Sequence, residues 1–465
     1  MIRARPSLAV WTHRRSLLAG LPIRAFATVV ACAAMLCGCA VYHREPLRET
    51  PDLASVPALS ISASRLSVAG LKPAPLDIAK GLTEANIVAL AVANDPQLKA
   101  ARLAAGVAHA RLLAAGLLPD PQIAGGLSRS SMLTGYSASL AEDIGALLTH
   151  GAAEDAARAN LEKVRLNILW QEWQVGARAR QLFIESRELA RLRDVLAVRR
   201  QLVARLYRAD LGALHHGDAT ISGITSDVMA FKSAESAYRR VELKGNKIRH
   251  ALDALLGLAP AVRLRLRGAP VGNLMSLAQY HSAIASLPRR RPDLLALQAG
   301  YHSAEAQLRE AILAQFPLIG AGVTKTRSAE DGISSIGFNV TLTLPLFNRN
   351  RGAIAVARAS RAQLRQAYEA HLDAATGEAD RLWTATAIMH HQFRRLRSQL
   401  AGFVRAAAVA RKGFVGGILS LRDYARLENN ALAIRAQIIR LHASLQIAQA
   451  ALAIVLALPP TDTKA

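Results

Sequence analysis

Beyond residue 39 the chain has no cysteine: Cys32, Cys37 and Cys39 are the only three. The rest of the protein can therefore form neither an internal disulfide nor a cysteine metal site. Aromatic residues make up only 5% of the sequence, too few for a bulky globular core, while alanine is abundant and suits long helices packed closely through small side chains. Catalytic signatures are missing as well. There is no HExxH, no GxxxxGK[ST], no GxSxG and no cysteine nucleophile past the N-terminal segment, so an enzyme is the least expected class and no cofactor is implied. Outside the first 38 residues no 18-residue apolar run reads as a membrane helix. Acids are scarce beside bases, 34 against 58, for a formal charge of +24. What the chain does have is length and apolar content: 51% of its 465 residues are hydrophobic, which excludes wholesale disorder.

The N-terminus starts with Arg3, Arg5, Arg14, Arg15 and Arg24, continues through the apolar stretch Ala25 to Leu36, and ends Leu36-Cys37-Gly38-Cys39. This reads as an export signal. It resembles the bacterial lipoprotein signal, which implies removal of residues 1–38 and acylation, palmitate included, at Cys39. An ordinary signal peptide or a single anchor helix fits the same charged start and apolar stretch. Cys37 stands where such signals usually carry Ala, Ser or Thr, and Ala40 in place of Asp agrees with sorting to the outer membrane. Without residues 1–38, which carry five arginines and no acid, the charge is +19. Nucleic acid is not the expected partner, because an exported chain does not meet it and the arginines lack interleaved aromatics. Lipid phosphates, acidic partner surfaces and solvated helix faces remain as readings of the charge.

Residues 39–76 carry Pro46, Pro51, Pro57, Pro73 and Pro75 without periodicity and read as a tether. Beyond them lies an internal repeat of about 200 residues, in which the chain matches itself element by element. It divides the remainder into 77–270 and 271–465, each predicted as a helix, two strands and a helical hairpin. Asp95-Pro96-Gln97-Leu98 matches Arg291-Pro292-Asp293-Leu294, and Pro119 matches Pro317. Gly217 matches Gly417, and the stretches from there to Pro260 and Pro460 align without a gap.

After Gly417, apolar residues recur at steps of three and four: Tyr424, Leu427, Ala431, Ile434, Ile438, Leu441, Leu445, Ala448, Leu452 and Val455. Such spacing is a coiled-coil seam. The first copy keeps the register from Ile224 to Leu255, with only Asp227 and Gly245 breaking it. Preceding helices carry their own seams, Leu182 to Leu206 and Leu396 to Phe414. The proline-free stretch from Gly151 to Asp210 predicts a rod of roughly 90 Å. Between helices the period changes to two. Ile336, Phe338, Val340, Leu342 and Leu344 alternate with small or polar residues, as do Ile319, Ala321 and Val323, then Tyr136, Ala138 and Leu140, and more weakly Gln122 to Ser130. Strands of roughly 9 to 11 residues with one apolar face suit a membrane β-barrel. Four strands cannot seal one, and open edges are not tolerated in lipid, so other copies of the chain must complete it.

Several motifs carry a resemblance to the TolC-like outer-membrane efflux proteins that covers nearly everything from about 77 to 460. They are Asn94-Asp95-Pro96-Gln97-Leu98, Leu117-Leu118-Pro119, Leu342-Thr343-Leu344-Pro345-Leu346-Phe347-Asn348 with Arg351-Gly352-Ala353-Ile354, and Phe414-x-x-Gly417-x-x-Ser420-x-x-Asp423. The resemblance implies a mainly α fold with a small β-barrel portion: a coiled-coil α-barrel in the periplasm and four membrane strands per protomer, closed as a homotrimer of 12 strands. It further implies a passive efflux duct in the outer membrane, in contact with its lipid, served by a periplasmic adaptor and an inner-membrane pump. Gln171-Glu172-Trp173-Gln174-Val175 is most similar to the heavy-metal branch, which points to divalent cations as cargo. A duct for polypeptide secretion shares the same fold, and a structural envelope lipoprotein needs the rods but not the strands.

The same resemblance makes the helix tips at Gly217, Thr220, Gly417 and Ser420 the adaptor-docking points; each glycine is equally explained as a tight αα turn. Asp423 matches an acidic position at the narrow periplasmic end, where a ring of carboxylates favours cations, and is also placed to stabilise a helix N-terminus. Arg426 stands where the family often has a second acid, which allows an Asp423–Arg426 pair to hold a closed state. His215-His216 and His390-His391 are paired imidazoles. Neighbouring positions on one helix diverge by about 100°, so metal binding there needs several copies around an axis, and solvated histidines are the alternative.

Overall fold

The computed structural model describes residues 42–55, 80–130, 134–218, 220–269 and 275–458. Cys39, most of the tether and Pro460 lie outside the described residues. Met1–Asp52 forms one unit; its described part, 42–52, has no helix or strand. Leu53–Ala465 forms the second unit, which holds every helix and strand among the described residues.

A short helix, α1 (Glu84–Asn94), opens on a Thr83 capping box with Asn86 and buries every residue from Ile87 to Ala93. The second helix, α2 (Pro96–Gly116), follows at once. Asp95 accepts the Leu98 N–H at 2.8 Å, and Pro96 supplies the preset φ of a first helical position. Strands β1 (Gln122–Arg129) and β2 (Thr134–Asp143) lead to the 71-residue α3 (Gly145–His215) and then to α4 (Ile221–Leu255). The order then repeats: α5 (Leu277–Arg290), capped by Ser276 with Gln279, then α6 (Pro292–Leu313), β3 (Leu318–Arg327), β4 (Ser334–Thr343), the 65-residue α7 (Arg351–Val415) and α8 (Leu421–Val455). The rods α3 and α7 each run about 100 Å at 1.5 Å per residue. Their formation needs no more than long runs free of proline with sustained apolar spacing.

Each proline motif thus has a helix in front of it that the sequence reading had not separated. The residue before proline is pushed out of the α region, so Asp95 and Arg291 end one helix and start the next.

Two apolar cores lie where short and long helices cross. Ile87 and Leu90 of α1 meet Leu182 and Phe183 of α3, Leu252 of α4 and Leu256 just past its end. Leu287 of α5 and Leu294 of α6 meet Leu382 of α7, Leu452 of α8 and Leu456 at its C-cap, where Tyr280 and Trp383 stack at 4.6 Å. Fully burying a leucine contributes roughly 1.5–3 kcal/mol, so these crossings fix the helices in register.

Farther out, α3 serves both hairpins. Leu192 and Leu196 pack against Val241 of α4 and Ala436 of α8, while Leu202 and Leu206 pack against Ala425 and Leu432 of α8. The seam read on α8 is therefore only one of two. Ala431, Leu445, Ala448 and Leu452 are buried as expected, and Ala425, Leu432 and Ala436 form a second stripe toward α3. That double stripe also corrects the expectation of no further long apolar run: Leu421–Val455 is long and apolar enough to cross a bilayer by composition, because a helix with two packing faces needs apolar residues on both.

Candidate functional site

The sheet is a single antiparallel layer in the order β1-β2-β3-β4. Its register aligns Ile123, Leu140, Val323 and Phe338 in one row across all four strands, with period-two alternation placing Leu127, Tyr136, Ile319, Ile336, Val340 and Leu342 on the same face. Among the described residues no element covers that face: Phe338 is 85% exposed, Ile123 82% and Val340 73%. The opposite face is small and polar, with Ala124, Ser139, Thr324 and Gly337 in a matching row. Among the described residues β1 and β4 each end the sheet, so each keeps one side of its backbone unpaired.

At the other end of the rods the two tips close identically. Gly217 and Gly417 hold φ of +80° and +73°. In each turn the next residue's N–H reaches back five positions, Asp218 to the Ala213 carbonyl and Ile418 to that of Gly413, both at 2.8 Å. Left-handed backbone is open to glycine without steric cost. Thr220 and Ser420 both precede the returning helix and are exposed, and Ser420 caps α8 by accepting the Asp423 N–H at 3.1 Å.

Asp423 is exposed, and its carboxylate accepts from the Ser420 hydroxyl at 2.6 Å. Arg426 is exposed on the next turn, and among the described residues no ion pair joins it to Asp423. The cation that ties the tip together is instead Arg422. It reaches Asp210 of α3 at 2.9 Å and Asp227 of α4 at 3.2 Å, so one guanidinium on the second hairpin holds both helices of the first. In the sequence Asp227 stands out only as a break in the seam, and that break is the available signal: an acid at a buried seam position requires a partner. Burial first, then the hydrogen bond and charge of Asp210, push the Asp227 carboxyl up to about 6, against the pull of Arg422.

An acid that holds its proton more tightly when folded than when unfolded adds stability as pH falls below that value. The tip should therefore tighten as pH drops from about 6 toward the ordinary carboxylate range, and loosen as pH rises through 6. Hydrogen exchange, corrected for its intrinsic pH dependence, should show the first turns of α4 and α8 more protected at pH 5 than at pH 7.5. Asp227→Asn should flatten that difference and keep the protected state at both.

His215 and His216 are both exposed at the first tip, and His391 is exposed on α7 while His390 is half-buried. Among the described residues no group of three or more metal-ligating side chains comes together. The Gln171-to-Val175 motif serves packing: Glu172 is fully buried and accepts from Arg102 at 2.8 Å, while Arg102 also donates to the Val92 carbonyl at 2.7 Å, binding α3 to α1 and α2.

Residues 283–457 match the protein family described as Outer membrane efflux protein. No curated protein sequence matches the chain. Among solved structures it is similar to a membrane protein from Pseudomonas aeruginosa, at 18% identity over 91% of this chain and 98% of the other, with a TM-score of 0.67. It is also similar to the Campylobacter jejuni CmeC outer membrane channel, at 15% identity over 90% and 95% with a TM-score of 0.66. CusC, described in connection with transmembrane channel formation, aligns at 17% identity over 90% and 99% with a TM-score of 0.65. At such identities the likeness carries the fold.

Proposed function

We propose that this chain is a TolC-like outer-membrane efflux protein that works as a homotrimeric duct, passing small solutes outward through a barrel to which each copy gives four strands. The observation that carries this reading is the sheet: among the described residues its apolar face has no cover and its two edges are unpaired. An apolar layer of that kind is stable where lipid covers the face, and its edge groups are satisfied only by pairing with strands of other copies. Joining β4 of one copy to β1 of the next closes the sheet, turns Phe338 and Val340 toward lipid and lines the lumen with Ser139, Thr324 and Asn339. The rods then continue the lumen as a periplasmic α-barrel, with residues 77–270 and 271–465 each giving a strand pair and a hairpin. Nothing in such a duct performs chemistry; energy comes from an inner-membrane pump, and a periplasmic adaptor docks on the tips around Gly217, Thr220, Gly417 and Ser420.

Divalent cations are the cargo we favour. Three copies of Asp423 around the axis would form a ring of carboxylates at the narrow end, attractive to cations and repulsive to anions. Asp423→Ala should lower the cation preference of the reconstituted trimer in planar bilayers; an unchanged reversal potential in a salt gradient would remove Asp423 from the pore. Acylation at Cys39 anchors the tether in the inner leaflet of the outer membrane. Cys39→Ser should abolish labelling by a fatty acid while leaving assembled trimer, since the barrel itself holds the membrane.

The whole reading is tested by purifying the acylated chain in mild detergent, measuring its mass and adding it to a planar bilayer. A trimer that conducts ions is expected, and a monomer that conducts none would overturn it. Growth of a deletion strain on metals, dyes and antibiotics then separates cation cargo from other solutes.

A further inference from the structure

The outward face of the sheet is not apolar to its end. Arg129 on β1 and Lys325 and Arg327 on β3 occupy the same face as Ile123, Leu127, Ile319 and Val323, at the ends of the strands farthest from the helices. Register sets Arg327 beside Tyr136 and Lys325 between Ala138 and Ile336. All three cations are exposed, and among the described residues none has a side-chain hydrogen bond or ion pair. Glu330 and Asp331 lie in the turn beyond, and Asp331 accepts the Ile333 N–H of that turn at 3.1 Å. At the opposite, helix-proximal end the same face carries an acid, Glu142. Charge along the face therefore runs from negative near the rods to positive near the turns.

Resting on the duct reading, which sets this face in lipid, we propose that Arg129, Lys325 and Arg327 form a binding surface for phosphate groups of lipid headgroups in the leaflet facing away from the periplasm. Their stems continue the apolar surface while the charged heads reach past the hydrocarbon, and Tyr136 sits at the level where aromatic side chains favour the interface. A protein partner does not fit, because it would have to cover residues as apolar as Leu127 and Ile336 in the membrane itself. Lipid phosphate supplies both the charge and the apolar neighbours.

The test uses the full-length trimer in phosphatidylcholine nanodiscs doped with either diphosphoryl or monophosphoryl lipid A, scoring lipid retained through size exclusion. The wild type should retain the diphosphoryl form preferentially, and the triple variant Arg129→Gln, Lys325→Gln, Arg327→Gln should lose that preference by about tenfold. The charge-keeping variant Lys325→Arg, Arg327→Lys should retain it. No preference in the wild type, or an undiminished preference in the triple variant, overturns the proposal. Conductance of each sample keeps the two readings apart: trimers that insert and conduct without lipid preference sink this inference alone, whereas a wild type that never inserts sinks the duct and this surface together.

Discussion

Phe338→Arg should leave the chain able to fold its helices yet nearly abolish membrane-inserted trimer. Phe338 lies mid-strand on β4 and touches little within its own chain, being 85% exposed, so its replacement costs the isolated protomer almost nothing. In a closed barrel the same position faces the hydrocarbon, where an arginine near the midplane costs about 2–4 kcal/mol per copy. Three copies multiply the penalty, and inserted trimer, read as the heat-dissociable band in membrane fractions, should fall more than about tenfold. The control is the neighbouring residue. Asn339→Arg points the same charge into the lumen, and its trimer should insert normally with altered ion selectivity. Equal insertion of both variants would mean that the faces are assigned wrongly.

Arg422→Ala should open the tip. Without that guanidinium, Asp210 and Asp227 face each other with no cation between α3, α4 and α8. Removing one partner from a charge cluster costs more than the cluster contributes, because the remaining carboxylates stay desolvated. Arg422 is itself half-exposed, so solvent screens part of the loss. A shift of about 1.4 kcal/mol between closed and open forms changes the open population about tenfold, and single-trimer conductance should rise on that scale. Arg422→Lys should recover part of it, since one ammonium cannot serve two carboxylates as a planar fork does. Conductance unchanged in Arg422→Ala would show that the cluster stiffens the rods without closing them.

Much of this architecture was legible from residue spacing. The alternation of Ile336 to Leu344 located β4, running one residue past its end at Thr343, and the matching glycines at 217 and 417 located both turns, because period and left-handed backbone are local properties. The helices α1 and α5 were hidden by the prolines behind them, which mark a boundary without saying that both sides are helical. The second stripe of α8 was missed because Ala425 and Ala436 register weakly on any apolar scale, although small side chains are what let α3 approach.

At the tip, the family likeness singles out Asp423 and Arg426, and among the described residues neither makes an ion pair or side-chain hydrogen bond between the hairpins. Arg422 does, through partners 212 and 195 positions away, Asp210 and Asp227. Spacing along one helix cannot disclose a partner on another chain segment. The buried acid at position 227 was the only local mark of that cluster.

The two unsatisfied strand margins have a genetic corollary. In the proposed trimer a subunit that cannot seal its own wall has no useful solitary form, so defective and normal copies share the same rings. When both are made in equal amounts, only about one ring in eight contains no defective member. Lesions on β1 or β4 that still permit partner recruitment will accordingly act as dominant poisons, whereas lesions that prevent recruitment will be recessive.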